Sequence, residues 1–167
     1  MARIYIGVGS NIEREHYLRA GWQALQQVFS ACCCSTVYES DAVGFDGAPF
    51  YNLVIAAETV HGVAEVAAQL RAIEFAHGRP ADARKFSGRT LDLDLLAYDE
   101  LVISTPVELP RSEILLNAFV LRPFAELAPQ WRHPLAEMTL AQLWSEYDAK
   151  RQPLRAVEFD WRYTLPT

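Results

Sequence analysis

The run Leu91-Asp92-Leu93-Asp94-Leu95 is the part of this sequence best equipped for chemistry. In an extended chain, side chains two apart share a face, so the three leucines fall on one side and both carboxylates on the other. Carboxylates held that close repel each other, and the remedies are a bound cation, a shared proton or open water. Hard oxygen donors of this kind suit Mg²⁺, which commonly keeps waters and substrate phosphates in its remaining positions. Just upstream, the stretch Arg79 to Arg89 carries Arg79, Arg84, Lys85 and Arg89 against Asp82 alone. Fixed cations beside a metal-binding acid pair are the equipment of phosphoryl transfer, in which charge neutralisation and positioning do most of the catalysis. The plain alternative for the same residues is a solvated strand face with surface ion pairs.

Those residues need a scaffold, and the chain is long enough to build one. With 167 residues, 51% hydrophobic and 22% charged, it has the makings of one compact domain, residues 1–167, that needs neither disulfides nor a structural metal. The alternation of Ile4, Ile6 and Val8 reads as a first strand, Arg3 to Val8, ending in the turn formers Gly9, Ser10 and Asn11. Leu18, Trp22, Leu25 and Phe29 mark an amphipathic helix from about Glu13 to Phe29. A second strand, Cys32 to Tyr38, a loop from Glu39 to Pro49 and a third strand, Tyr51 to Thr59, follow. A second helical stripe runs from Val63 to His77 with Gly78 as its C-terminal cap, and Thr90 to Tyr98 is the fourth strand. This βαββαβ order is the α+β, ferredoxin-like plan: an antiparallel sheet with two helices on one face. Beyond it the sequence predicts a short strand near Val102, extra helices at about Asn117 to Leu127 and Thr139 to Tyr147, and a tail.

Charge and motif content narrow the function. A net charge of −6 argues against a nucleic-acid binder, and no aromatic-basic sheet motif is present. A local basic stretch in an acidic protein suits a compact polyanion. No Gly-Lys-Ser or Gly-Lys-Thr occurs, and Gly7-Val8-Gly9 lacks the third glycine of a dinucleotide fingerprint, which leaves a tight turn as its plain reading. The three cysteines are consecutive, Cys32 to Cys34, so they cannot together close a tetrahedral zinc site and read as a half-buried strand in a reducing compartment. The histidines lack ligand spacing, and no serine, cysteine or histidine arrangement suggests a covalent nucleophile. With no signal-peptide pattern and no stretch near the ~20 apolar residues of a membrane span, the expected location is cytoplasmic.

Taken together, the motifs resemble those of the 6-hydroxymethyl-7,8-dihydropterin pyrophosphokinases of folate biosynthesis. The resemblance runs through Gly9-Ser10-Asn11, Tyr38, Gly44, Asn52, Ile73-Glu74 and Gly78-Arg79. It is most specific at Gly88-Arg89-Thr90-Leu91-Asp92-Leu93-Asp94 and at Ala118-Phe119-Val120-Leu121-Arg122-Pro123. It implies that the pterin hydroxyl attacks the β-phosphorus of ATP and releases AMP with no enzyme-bound intermediate. Asp92 and Asp94 would hold two Mg²⁺ ions, with Asp92 also near the pterin, and Arg79 and Arg89 would bind the transferred pyrophosphate. Glu74, Arg84, Arg89, Leu95 and Arg111 would line the ATP site. Asn52 would hydrogen-bond the pterin edge, Phe119 and Phe50 would stack on its ring, and Ser40, Ala42 and Val43 would form its rim. Phe86 stands where the family has a loop tryptophan, in a loop, Pro80 to Ser87, that would close over ATP. Small-molecule substrates, a monomer, and no nucleic-acid or membrane partner complete what the resemblance implies.

The sequence also departs from that family's pattern. Arg111 stands where well-known members have histidine, and Asn117 where they have arginine, both phosphate contacts in the family. The other reading these departures leave open is a pterin- or nucleotide-binding sensor that does not turn over. Taken alone, Phe119 could be a core residue, Asn52 a turn cap and Arg79 a partner of the helix dipole.

Overall fold

The computed structural model describes residues 1–42, 47–78 and 90–162. In chain order the elements are β1 (Ala2–Ser10), α1 (Arg14–Val28), β2 (Ser30–Cys34), β3 (Val37–Ser40), β4 (Phe50–Thr59), α2 (Val63–Ala76) and β5 (Asp92–Tyr98). They are followed by α3 (Glu113–Leu116), α4 (Ala118–Leu127), β6 (Arg132–His133), β7 (Met138–Thr139), α5 (Leu140–Glu146), a 3-10 turn (Ala149–Arg151) and β8 (Arg155–Val157). The main sheet runs β5-β1-β4-β3-β8, with β2 also on β4, and its pairings are antiparallel. That is the expected ferredoxin-like order, extended by one strand from the C-terminal segment.

The sheet is buried on both faces. Leu18 and Leu25 of α1 and Val66, Leu70 and Ile73 of α2 pack on Ile4, Ile6, Leu53, Ile55, Leu93 and Leu95. On the other face Val120, Leu121 and Phe124 of α4 and Leu140 of α5 pack on Tyr5, Val54, Ala56 and Leu96. The C-terminal helices are therefore a second layer, which is why nearly every residue of β4 is buried rather than every other one.

Four local readings change. The predicted second strand is two: β2 and β3 separated at Ser35-Thr36. There Ser35 Oγ takes the place of a backbone acceptor for Val54 N–H at 3.0 Å, and Glu126 accepts from Thr36 N–H at 2.8 Å and from Tyr38 Oη–H at 2.6 Å. Gly7 and Gly9 lie inside β1 rather than in a turn. No strand forms at Val102 among the described residues; an isolated bridge, Ile103 to Leu109, closes that loop. The tail enters the sheet as β8. Gly78 caps α2 as expected, with φ of +92°, a left-handed conformation that glycine adopts without strain. The cysteines are free, Cys33 exposed and Cys32 and Cys34 half-buried.

Candidate active site

The alternation of leucine and aspartate in β5 is fixed by burial. Leu91, Leu93 and Leu95 are at most 5% exposed, and burying each contributes about 1.5–3 kcal/mol, so a one-residue slip that buried the aspartates instead is strongly disfavoured. Gly21 of α1 makes the start of this register possible: a Cβ there would meet Leu91 Cδ1 at 3.0 Å. Glu74 secures the outer edge. It is buried on α2, and its Oε2 accepts from Leu93 N–H at 2.8 Å, an amide that faces away from β1 on this edge strand. Removing that acceptor leaves the amide unsatisfied, so Glu74→Ala is expected to cost roughly 1–3 kcal/mol. Thermal unfolding checks this, and an unchanged melting temperature contradicts it.

Strand pairing then assembles the site. Asp92 lies opposite Gly9, Gly9 opposite Asn52, and Asn52 opposite Tyr38, a single row across β5, β1, β4 and β3. Asp94 lies opposite Gly7 in the next row, and Ser40 opposite Phe50 in the row on the other side. All of these residues share the sheet face on which α4 packs. Between Asp92 and Asn52 stands only Gly9, so the two side chains sit two strand spacings apart, about 10 Å, with bare backbone between them. A Cβ on Gly9 would lie 3.3 Å from Asn52 Oδ1 and 3.6 Å from Phe50 Cδ1. Glycine here leaves the space between the acid pair and the Asn52 amide free of a side chain. Alternating glycines within a strand opposite alternating aspartates were the sequence signal for this, legible only once the strands are paired.

Asn52 is buried, and its Nδ2 donates to Ser40 Oγ at 2.7 Å, which fixes the amide's orientation within the sheet and excludes a turn-capping role. Phe119, the second residue of α4, is partly buried against the cluster on this face. Leu95 has its side chain in the core under α1 and α2, which leaves only its backbone on the side of the acid pair. Ala42 follows β3 without a hydrogen-bonded element of its own. Val43, Arg79, Arg84, Phe86 and Arg89, together with the loop Pro80 to Ser87, lie outside the described residues.

Arg111 is brought to the acid pair by the loop after β5. Its backbone N–H donates to Leu96 O at 2.9 Å, the Leu109–Pro110 peptide before it is cis, and its Nη2 lies 3.4 Å from Asp94 Oδ1. Its Nε lies 3.4 Å from Glu113 Oε1. Burial alone would lower the guanidinium pKa, but Asp94, Glu113 and Asp92 outweigh it and raise the value above the ordinary one. Asn117, by contrast, does not point a charge at this centre: its Oδ1 accepts from Gln152 Nε2 at 2.9 Å. Among the described residues no group of three or more acidic, histidine or cysteine side chains is arranged to hold a metal ion. A pair of carboxylates on an open strand edge is the donor set by which Mg²⁺ is held together with substrate phosphates, so these residues fit that ion.

The fold and the site define a ferredoxin-like α+β domain that presents a polar sheet face beside an acidic strand edge. The model of the 7,8-dihydro-6-hydroxymethylpterin-pyrophosphokinase (HPPK) family matches residues 5–129, and the chain belongs to that family. A Pseudomonas aeruginosa protein named 2-amino-4-hydroxy-6-hydroxymethyldihydropteridine pyrophosphokinase is 35% identical over 137 residues, 79% of this chain and 84% of its own length. An Aquifex aeolicus protein of the same name is 31% identical over 153 residues, 90% of this chain and 95% of its own. Among solved structures, Plasmodium falciparum HPPK-DHPS with pterin and p-hydroxybenzoate superposes with a TM-score of 0.74 at 12% identity, over 89% of this chain and 43% of that one. At that identity the likeness is one of fold, and this chain spans under half of the Plasmodium chain.

Proposed function

We infer that this chain transfers the terminal pyrophosphate of ATP to 6-hydroxymethyl-7,8-dihydropterin, giving the pterin diphosphate and AMP in tetrahydrofolate biosynthesis. Membership of the HPPK family supports the reaction. The observation that carries the assignment of residues is the row Asp92-Gly9-Asn52-Tyr38, which sets a hydrogen-bonding amide and an acid pair on one sheet face. In this reading Asn52 and Ser40 take the polar edge of the pterin, and Phe119 and Phe50 flank its ring. The rim formed by Ala42 and Val43 completes that side.

Asp92 and Asp94 would hold Mg²⁺, two ions in the full reading, which when bound neutralises the phosphate oxygens of ATP and orients them. The chain's own part is to fix the acceptor hydroxyl in line with the β-phosphorus and to spread cations around the phosphates. Arg79 and Arg89 serve the transferred pyrophosphate, and Arg84, Arg111 and the backbone at Leu95 serve ATP. Glu74 acts on the same site through the edge of β5 that it holds. The new bond joins the pterin oxygen to the β-phosphorus; the bond from that phosphorus to the α-phosphate bridge breaks, AMP leaves with the bridging oxygen, and the hydroxyl proton is released. Positioning and electrostatics supply the rate.

Arg111 is the residue by which this chain compensates for its departures. Arg111→Ala is expected to weaken ATP binding about 10- to 100-fold, the effect of losing a charge-assisted contact of roughly 1.5–3 kcal/mol. Calorimetric titration with ATP and Mg²⁺ checks it, and an unchanged dissociation constant would remove Arg111 from the ATP site. A sensor that binds without turnover is not favoured, because the relatives that match most of this chain are named as pyrophosphokinases. A monomeric single domain acting in the cytoplasm belongs to the same proposal; among the described residues no helix is long and apolar enough to cross a membrane. The reaction is tested by supplying ATP and the pterin separately and together: AMP should form only with both, and ADP as the product would contradict the assignment.

A further inference from the structure

The C-terminal segment does more than finish the sheet. It lies beyond residues 5–129, the span matched by the family model, yet it holds the elements on both sides of the proposed pterin site, the start of α4 and the end of β3. On one side, Gln152 Oε1 accepts from Ala118 N–H at 2.8 Å, and its Nε2 donates to Asn117 Oδ1 at 2.9 Å. The first bond caps the start of α4, where no side chain of the helix's own N-cap does so, one residue before Phe119, and the second orients Gln152 for it. Tyr147 Oη–H reinforces the same corner by donating to Leu116 O at 2.9 Å.

On the other side, β8 pairs with β3 so that Ala156 lies opposite Tyr38 and Arg155 opposite Glu39. Arg155 Nε donates to Glu39 Oε1 at 2.9 Å, and its Nη2 lies 3.4 Å from Asp41 Oδ1, so one guanidinium spans Ser40. Glu39 is gripped a second time by Arg14 of α1, whose Nη1 lies 2.7 Å from Oε2 and also donates to Pro49 O at 3.2 Å. Both stems of the 41–49 connection, the end of β3 and the entry to β4, are thereby tied to one charged network. The hydrogen bonds from Arg14 and then Arg155 hold the Glu39 carboxyl below the usual carboxylate range, so the network stays charged through the neutral range. Past β8 the segment continues across α1, where the Phe159 and Trp161 rings meet at a tilt with centroids 4.4 Å apart, Trp161 meets Trp22 at 5.7 Å and Arg19 donates to Asp160 O at 2.9 Å.

We propose that residues 147–157 form a strap whose Gln152 and Arg155 are positioning residues for the pterin, setting the separation of Phe119 on α4 from Ser40 and Asn52 on the sheet. β8 lies at the opposite edge of the sheet from β5, so the strap acts on the pterin rather than on ATP. The inference rests on the functional reading above and deepens it: pterin binding is tuned by a segment outside the family's matched span.

The test uses Gln152→Ala and Arg155→Ala in the full chain, with KM for the pterin and for ATP measured separately. Alongside, binding of the oxidised probe 6-hydroxymethylpterin is followed by fluorescence with α,β-methylene-ATP present. The pterin KM and probe dissociation constant are expected to rise roughly three- to tenfold, in keeping with loss of one partly exposed polar contact, while the ATP KM stays within about twofold. Arg155→Lys keeps one cation for Glu39 without spanning both carboxylates, and a smaller rise in the pterin KM is expected; it carries the test should the alanine variant fail to fold. Unchanged pterin constants in both variants, or ATP and pterin constants rising together, overturn the strap. Wild-type protein that forms no AMP overturns the functional reading itself and the inference with it.

Discussion

Replacing Asp92 by asparagine is expected to lower turnover by about 10²- to 10³-fold or more, the scale of losing one preorganised electrostatic contact in a transfer reaction. The fold should survive. Asparagine is nearly isosteric, the side chain lies on the part-exposed face of β5, and the register there is held by Leu91, Leu93 and Leu95 together with Glu74. Neutralising one of two adjacent carboxylates also relieves repulsion, so the melting temperature should be unchanged or slightly raised. A fall in rate together with retained thermal stability separates a role in the reaction from a role in folding. Full activity in Asp92→Asn would remove the acid pair from the centre of the mechanism.

Asn52→Ala should act on the other substrate. Its amide is buried and oriented by Ser40 Oγ at 2.7 Å, so it is held ready for a ligand rather than adapting to one. Truncation removes the contact and leaves a buried pterin group without a partner, which costs about 1–3 kcal/mol. The pterin KM should rise roughly 10- to 100-fold, with the ATP KM little altered. Steady-state kinetics with each substrate varied in turn distinguishes this from a general loss; equal effects on both constants would place Asn52 outside the pterin site.

The acid pair was legible in the sequence because its period of two needs no partner strand to interpret. Leucines that must be buried and aspartates that must not leave one orientation for the strand. The two amphipathic helices on the first face were legible for the same reason. What the sequence did not reveal depends on pairing between distant segments. Gly9 looks like a turn former until it is seen opposite both Asp92 and Asn52. The break at Ser35-Thr36 has no breaker residue, because a serine hydroxyl stands in for the backbone there. The short strand expected near Val102 does not form; Val102 is 51% exposed, just before the isolated bridge from Ile103 to Leu109. Gln152 and Arg155 carry no local signal at all; their importance comes from touching residues 34 or more positions away in sequence.

The departures from the family pattern take on different meanings in three dimensions. Arg111 stands beside Asp94 and keeps a cation at the centre. Asn117 has joined a structural pair with Gln152, so the charge absent at that position is not replaced there. Within the described residues, the acid pair therefore has Arg111 beside it, and the start of α4 is held by Gln152 of the C-terminal segment.

The most direct test of the central claim is a phosphorus NMR spectrum of the purified protein with ATP, Mg²⁺ and 6-hydroxymethyl-7,8-dihydropterin, recorded in parallel for Asp92→Asn. In the wild type the resonances of ATP should give way to those of AMP and a pterin diphosphate, with little change in the variant over the same time. Unaltered ATP from folded wild-type protein, or products that form equally fast without the Asp92 carboxylate, would contradict it.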